Sequence, residues 1–432
     1  MMKAIKANDL NEIRKIIYQI DQMSGVATKE VMEMLETRNH EGKTAFYSAV
    51  EHDKVEMVNF FLDNYPDINV HIKETNEGNT PLHMACKNKN LDMVQKIFEL
   101  RKEKCLATNF KGQTPLFFAV QAQDLKILNL FEEFKWESLQ KKDWLGENPM
   151  FECARNGNEE IFNWFAGDNE FYKARGQQNY KGQTIEHIVC LHRQVKIVDE
   201  IRPRPDTPDY YGSLPLYYSL MQDDVAMIEK YFLKGRDYFM LRNYKYETIF
   251  HIAAKHNSLE SLKQIVARSV FIAQLLKKDY EGNTAIHVAA KSGSIEILEY
   301  LCQSVTKEFL EIKNDFGFSA LEATQEKARL MEEAIYKKDG VAAENLEQFR
   351  AKLSNVNAAV KLLETHKDFI TEATWNERFD MSLEMFLEQV ADTNMRIFMD
   401  MPKPADLELG DRKQPKLTIK SRDKDPESMN QL

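Results

Sequence analysis

Histidine and cysteine stand three residues apart at two places in this chain, His83/Cys86 and His187/Cys190. On a helix that spacing puts both side chains on one face, and an imidazole beside a thiol is half of a zinc donor set. Gly42-Lys43-Thr44 carries a second suggestion, the tail of a phosphate-binding loop. That loop needs a glycine five residues earlier, and Thr37 stands there. Neither G-x-S-x-G nor H-E-x-x-H occurs, so the nucleophile elbow and the metalloprotease helix are both missing. His40, His52, His71, His192, His256 and His366 have no spacing that joins them to a nucleophile. The sequence therefore predicts no catalytic residue, no cofactor, no bound metal and no enzyme activity.

What positions these residues is a repeat. Glycine recurs at Gly42, Gly78, Gly112, Gly146, Gly182, Gly212, Gly282 and Gly317, with Tyr246 in the one slot it misses, at steps of 30 to 36 residues. Around each glycine the context returns, most clearly in Gly78-Asn-Thr-Pro-Leu-His-Met-Ala85, Gly112-Gln-Thr-Pro-Leu-Phe-Phe-Ala119 and Gly282-Asn-Thr-Ala-Ile-His-Val-Ala-Ala290. Glycine suits a turn residue at positive φ. Threonine caps a helix, and proline fits its first position, where the missing N–H is no loss. Small residues such as Ala85, Ala119, Ala253 and Ala289 let helices approach. A second apolar stripe follows, as in Leu91–Ile97 and Ile295–Leu301, with the spacing of an amphipathic helix. Gly157 and Gly293 fall between the two helices, where a left-handed residue ends the first.

Over residues 39–320 this pattern resembles the ankyrin repeat family, with its tight β-turn, two antiparallel helices and T-P-L-H-x-A signature. The resemblance implies an all-α, elongated solenoid of about nine stacked helix-turn-helix repeats with short β-turn fingers. Asn148 and Leu214 stand where the signature expects threonine, but Pro149 and Pro215 keep those copies in the series. In this frame His83, His187, His251 and His287 fill the histidine slot of the signature, where the imidazole bonds to neighbouring backbone. The two His/Cys pairs are three repeats apart, roughly 25–30 Å at about 8–10 Å per helix layer, too far to share an ion.

Four regions are expected: capping helices at 1–38, repeats at 39–320, a helical C-terminal region with a split last repeat and cap at 321–402, and a disordered tail at 403–432. In the third, Ser319–Thr324 opens a ninth helix pair and Val356–Thr365 supplies its second helix. Gln325–Leu353 reads as a charged helical insertion without a sustained heptad, and Met381–Val390 as a further helix. The tail has no aromatic residue and alternates basic with acidic side chains, which disfavours a packed core.

Composition narrows the function. A net charge of −10 argues against a dedicated nucleic-acid binder. No run of 18 apolar residues occurs, so no transmembrane helix is expected, and Met1–Asp9 has no apolar core of a secretory signal. Five cysteines without a C-x-x-C pair disfavour a disulfide framework or a four-cysteine zinc site. A cytoplasmic location follows, compatible with cytoskeletal or ciliary association.

One pattern goes beyond the repeat. Two positions before the turn glycine, or Tyr246, six consecutive copies carry an aromatic: Phe110, Trp144, Tyr180, Tyr210, Tyr244 and Tyr280. His40, Asn76 and Asp315 occupy that place in the flanking copies. Stacked repeats bring equivalent positions into line, so the six rings form a stripe along the fingers. Interfaces are enriched in tyrosine and tryptophan, and the stripe is the expected partner-binding site. The alternative, rings that stack only on one another, is disfavoured because a spacing of about 10 Å exceeds the 4.5–7 Å of a ring pair. The function expected is a non-catalytic scaffold or adaptor for protein partners, held along the fingers and concave face. The alternatives are a regulatory or substrate-receptor subunit docked on a larger complex by its C-terminal helices, and a structural component of a cytoskeletal or ciliary assembly.

Overall fold

In a computed structural model of the chain, the described residues are 1–24, 27–100, 102–166, 169–201, 207–232, 242–267, 275–337 and 346–365. The chain divides into two units, Met1–Thr371 and Glu372–Leu432. The second lies wholly outside the described residues, and with it the expected helix at Met381–Val390 and the tail at 403–432.

The first unit is an all-α solenoid. Its inner helices run Ala45–Glu51, Pro81–Lys87, Pro115–Ala122, Pro149–Asn156, Ile185–Leu191, Pro215–Leu220, Ile249–His256, Ala285–Ser292 and Ala320–Lys337. Each packs on the next. Ala49, Ala85, Ala119, Ala253 and Ala289 are fully buried at these contacts, so backbones meet where a larger side chain would hold them apart. A second, outer helix follows most inner ones, as in Val55–Asn64, Leu91–Leu100, Glu159–Phe165, Leu259–Ala267 and Ile295–Ser304. The core runs between the two rows. Phe61, Phe131, Phe151, Phe162 and Phe250 are sealed in it, each contributing about 1.5–3 kcal/mol by burial.

The first eight inner helices each start at an N-cap with extended backbone. Pro81, Pro115, Pro149 and Pro215 follow directly. The departing Asn148 still caps, its side chain accepting from Met150 N–H at 2.9 Å. Leu214 gives no side-chain cap, and its helix is carried by Pro215 and burial. Between inner and outer helices the chain reverses through one left-handed residue: Asp53, Lys89, Gln123, Gly157, Arg193, Asp223, Asn257 and Gly293.

Two local variations explain sequence spacings. In the 30-residue step from Gly182 to Gly212 the described part of the outer segment is a 3-10 turn Val195–Ile197 and one helical turn Val198–Ile201. At the end of the stack, Ala320–Lys337 and Leu346–Thr365 are 18 and 20 residues long and pack against each other and against the eighth helix pair. The stretch read as an insertion, Gln325–Leu353, is the continuation of these two helices, with 338–345 outside the described residues. At the other end three helices, Met2–Lys6, Leu10–Ser24 and Ala27–Glu36, precede the first finger, and Met2–Lys6 packs on Ala45–Glu51.

Where the signature is complete the cap closes on histidine. In the pairs Thr80/His83, Thr184/His187, Thr248/His251 and Thr284/His287 the threonine N–H donates to histidine Nδ1 at 3.0–3.3 Å, and the threonine hydroxyl lies 2.7–2.9 Å from the same nitrogen. Thr114 has Phe117 in the histidine slot, and its buried hydroxyl has no hydrogen-bond partner. Replacing each threonine by the near-isosteric valine should separate the two situations. Thr284→Val is expected to lower unfolding stability by about 1–2 kcal/mol. Thr114→Val should be neutral or stabilise by up to about 1 kcal/mol, because it removes an unsatisfied buried group. Urea unfolding followed by circular dichroism, with amide exchange of the flanking helices, measures both; equal losses would contradict this account of the cap.

Candidate protein-interaction surface

The fingers are built on a short polar side chain three positions before the glycine slot. Oδ1 of Asn109 accepts from Lys111 and Gln113 N–H at 3.0 and 2.9 Å, and Asp209 accepts from Tyr211 and Ser213 at 2.8 Å each. Asn39, Asp143, Asn179, Asn243, Asp279 and Asn314 repeat the arrangement. This Asx wedge holds the turn closed from within, while the amides of Asn109, Asn179 and Asn314 also donate to Asn79, Glu147 and Asn283 and Asp209 accepts from the Tyr218 hydroxyl. Sequence reasoning missed it, although Asn or Asp at that offset is legible once the glycines are aligned.

The second finger departs. It has one extra residue, and Glu74 takes the place of the Asx, its longer side chain accepting from Asn76, Glu77 and Asn79 N–H at 2.6, 2.7 and 3.0 Å. The residue equivalent to Phe110 is therefore Thr75, whose N–H donates to Glu41 carbonyl at 3.0 Å, and not Asn76 as counting back from Gly78 implies.

Backbone bonds join one finger to the next. The N–H of each aromatic donates to the carbonyl just before the preceding glycine slot: Phe110 to Glu77 (2.8 Å), Trp144 to Lys111 (2.8 Å), Tyr180 to Leu145 (2.9 Å), Tyr210 to Lys181 (3.1 Å), Tyr244 to Tyr211 (3.3 Å) and Tyr280 to Lys245 (2.9 Å). A second row, also missed, runs at the base. Lys142, Gln178, Arg242 and Lys278, each four positions before the glycine slot, and Lys73, five before it in the longer second finger, donate from their side chains to the equivalent carbonyl of the next finger.

The side chains of the six aromatics stay outside. Phe110, Trp144, Tyr180, Tyr210, Tyr244 and Tyr280 are 61–67% exposed. No two of them form a ring pair among the described residues. Four instead lie back on the preceding finger. A Cβ added at Gly78, Gly146, Gly182 or Gly212 would come within 3.0 Å of the ring of Phe110, Tyr180, Tyr210 or Tyr244, respectively. Tyr280 has Tyr246 before it, and the two rings stack at 6.3 Å and 6°. Trp144 differs: the atoms nearest a Cβ at Gly112 belong to the backbone of Lys142 and Asp143. Tyr211, beside Tyr210, and Phe316, at the ninth finger, are as exposed as the six and extend the apolar tips. They sit one position after the aromatic slot, directly before Gly212 and Gly317.

The residues with metal- or phosphate-binding spacing have other partners. His83 and His187 have both ring nitrogens engaged, Nδ1 at the cap and Nε2 donating to Gln113 and Ser213 carbonyls at 3.0 Å. Cys86, Cys105, Cys153, Cys190 and Cys302 are all buried, and burial pushes the Cys86, Cys153 and Cys302 thiols up. Among the described residues no three His, Cys, Asp or Glu side chains are grouped to hold a metal, and no helix is long and apolar enough to cross a membrane. Lys43 pairs with Glu51 and Glu41 at 2.8 and 2.9 Å, and Thr44 caps its helix by accepting from Tyr47 N–H at 3.2 Å.

A family model for ankyrin repeats, in three copies, matches residues 1–106, 69–143 and 216–314. Among solved structures, the ankyrin repeat domain of Bcl-3, described as a unique member of the IkappaB protein family, is 18% identical with a TM-score of 0.36. That match covers 57% of this chain and 94% of the other. No curated protein matches significantly.

The histidine bridges make the stack sensitive to acid. His251 and His287 continue the series, donating to Asn283 and Phe318 carbonyls at 2.9 and 3.1 Å. Burial lowers the pKa of all four, to about 4 at His83 and His287. Unfolded histidine titrates near 6.5, so between these values the unfolded chain binds more protons than the folded one. Stability is then full above about pH 6.5 and falls as pH drops towards 4. For His83 and His287 the loss is on the order of 3 kcal/mol each. Urea unfolding at pH 7.5, 5.5 and 4.5 should show this decline, and His287→Gln should flatten it; an unchanged slope in that variant would count against the bridge as its source.

Proposed function

The chain belongs to the ankyrin repeat family, whose repeats generally mediate protein–protein interaction, and from that premise we propose a non-catalytic scaffold or adaptor that holds a protein partner along its fingers and concave face. The observation that supports this most is the exposure of Phe110, Trp144, Tyr180, Tyr210, Tyr244 and Tyr280 in a line, on fingers whose backbones are tied to one another. Large apolar side chains left in water in a contiguous row are uncommon on a protein with no partner. Aromatics are the side chains that most often dominate interfaces.

The rings are also restrained before any partner arrives. Those of Phe110, Tyr180, Tyr210 and Tyr244 rest on the preceding glycine, so less side-chain entropy is lost when a partner covers them. A repeat stack offers a long shallow face in place of one deep pocket, which fits a protein ligand better than a small molecule.

The combined variant Trp144→Ser, Tyr180→Ser, Tyr210→Ser tests the reading. Cross-linking or proximity labelling of the full chain in its own cells should lose most of its stripe-dependent partners. Each ring lost from a hot spot typically costs about 1–2 kcal/mol or more in binding. The melting temperature should fall by only a few degrees, since the rings are mostly exposed. An unchanged partner set, or a collapse of stability with partners retained, would show the rings to be packing elements only.

A further inference from the structure

We propose that the finger stripe takes an extended, acidic protein segment in the polyproline II conformation, one three-residue turn of ligand to each finger. The assignment rests on reading the stripe as the partner-binding face and names what that face recognises.

The first argument is spacing. Each finger contributes two backbone segments. One bond joins them to each other, as from Asp209 N–H to Ser213 carbonyl at 2.9 Å, and another joins the finger to its predecessor, as from Tyr210 N–H to Lys181 carbonyl at 3.1 Å. Hydrogen-bonded neighbouring backbones lie about 4.8 Å apart, so two segments per finger set successive ring positions roughly 10 Å apart. A polyproline II helix advances about 3.1 Å per residue and returns to the same side after three, about 9.3 Å. A β-strand returns after about 6.6 Å and loses register at the next finger. An α-helix returns after seven residues, about 10.5 Å, and so passes on spacing alone.

Hydrogen bonding separates the two. An α-helix satisfies its own backbone groups, whereas polyproline II leaves every carbonyl free to accept. Tyr180, Tyr210, Tyr244 and Tyr280 end in hydroxyls and Trp144 in an indole N–H, all donors on exposed side chains. Aromatic-lined surfaces are the usual way such segments are held.

Charge supplies the acidic preference. The chain as a whole is at −10. Yet the described turn segments of fingers three to seven (107–112, 141–146, 177–182, 207–212 and 242–246) hold six basic residues against two acidic ones. Those two, Asp143 and Asp209, are buried, with Oδ1 engaged by the turn backbone. Lys141, Lys142, Lys181 and Lys245 are exposed beside the rings. The acidic residues at outer positions of the other fingers, Glu41, Glu77, Glu281 and Asp315, belong to fingers one, two, eight and nine; finger eight carries Tyr280, so the basic stretch underlies five of the six rings, with Lys111 at its edge paired to Glu77 at 2.8 Å.

Fluorescence anisotropy with the full chain tests this, using a labelled peptide of six Pro-Pro-Glu triplets. It should bind saturably, at least about tenfold more tightly than the Pro-Pro-Lys counterpart, and weaken as salt rises. A three-triplet version, reaching fewer fingers, should also bind about tenfold less tightly. The Trp144→Ser, Tyr180→Ser, Tyr210→Ser variant should bind the long peptide at least about tenfold less well. Lys141→Glu, Lys181→Glu, Lys245→Glu changes exposed side chains only and should reverse the preference between the two peptides. The proposal fails if the acidic peptide does not saturate below ~1 mM, if the lysine peptide binds equally, or if an acidic α-helical peptide binds more tightly. Where peptides fail but the serine variant still loses its cellular cross-links, the polyproline assignment alone falls. Where the cross-links persist, the stripe itself is not the interface.

Discussion

The structure depends on one residue per repeat held at positive φ. At the tip of each finger the chain turns through a glycine at φ between 69° and 80°, or through Tyr246 at 57°. The missing side chain matters as much as the torsion. A Cβ at Gly182 or Gly212 would stand 2.5 Å from the backbone nitrogen of the next finger's tyrosine, and one at Gly146 would stand 2.9 Å away. That same nitrogen donates the bond that links the fingers. So the glycine permits the close approach, the approach permits the hydrogen bond, and the bond sets the pitch at which successive inner helices bury their alanines. Solenoid stability is a sum of such neighbour interfaces, and each interface contains this contact.

Tyr246 shows what replaces glycine. A non-glycine residue in the left-handed region costs about 1–2 kcal/mol. Its ring stacks on Tyr280 at 6.3 Å, which returns about 0.5–1.5 kcal/mol. The two magnitudes nearly cancel, so the substitution is tolerated at the one finger where the following aromatic finds a ring in place of a bare Cα. The aromatic slot and the glycine slot are therefore coupled at five of the six fingers: behind Phe110, Tyr180, Tyr210 and Tyr244 lies a glycine, behind Tyr280 another ring, and only Trp144 departs.

Much of this was legible in the residues. The spacing of the glycines, the threonine caps and the histidine slot together required turn, helix and helix, because each is a local preference that agrees with the others. The Asx wedge was hidden by its own redundancy: asparagine and aspartate alternate through Asn109, Asp143, Asn179 and Asp209, since either oxygen accepts equally well. The basal row was hidden likewise, because lysine, arginine and glutamine all reach the next carbonyl. The register of the second finger depended on Glu74, whose extra methylene spans a turn one residue longer, and counting from the glycine could not reveal it. The terminal pair Ala320–Lys337 and Leu346–Thr365 read as two short helices around a helical insertion, because its charged stretch exceeds the length of the other repeats; helix was the expected conformation, and the difference is that the two repeat helices themselves run longer.

The exposed rings and the buried histidines answer to different parts of the same neighbour contact. His83, His187, His251 and His287 tie an inner helix to the finger that follows it, while Phe110, Tyr180, Tyr210 and Tyr244 lie back on the finger that precedes them. The fingers of Phe110, Tyr210 and Tyr280, the last with its ring on Tyr246, are thus fixed from both sides, and their solvent-facing rings inherit that rigidity. A ligand covering several rings would bridge junctions that otherwise touch only in pairs, so its binding energy would add to interfaces the stack already uses. In a quasi-one-dimensional molecule, where opening begins at the weakest junction, a partner that spans junctions stabilises the array by more than its contacts at any single finger.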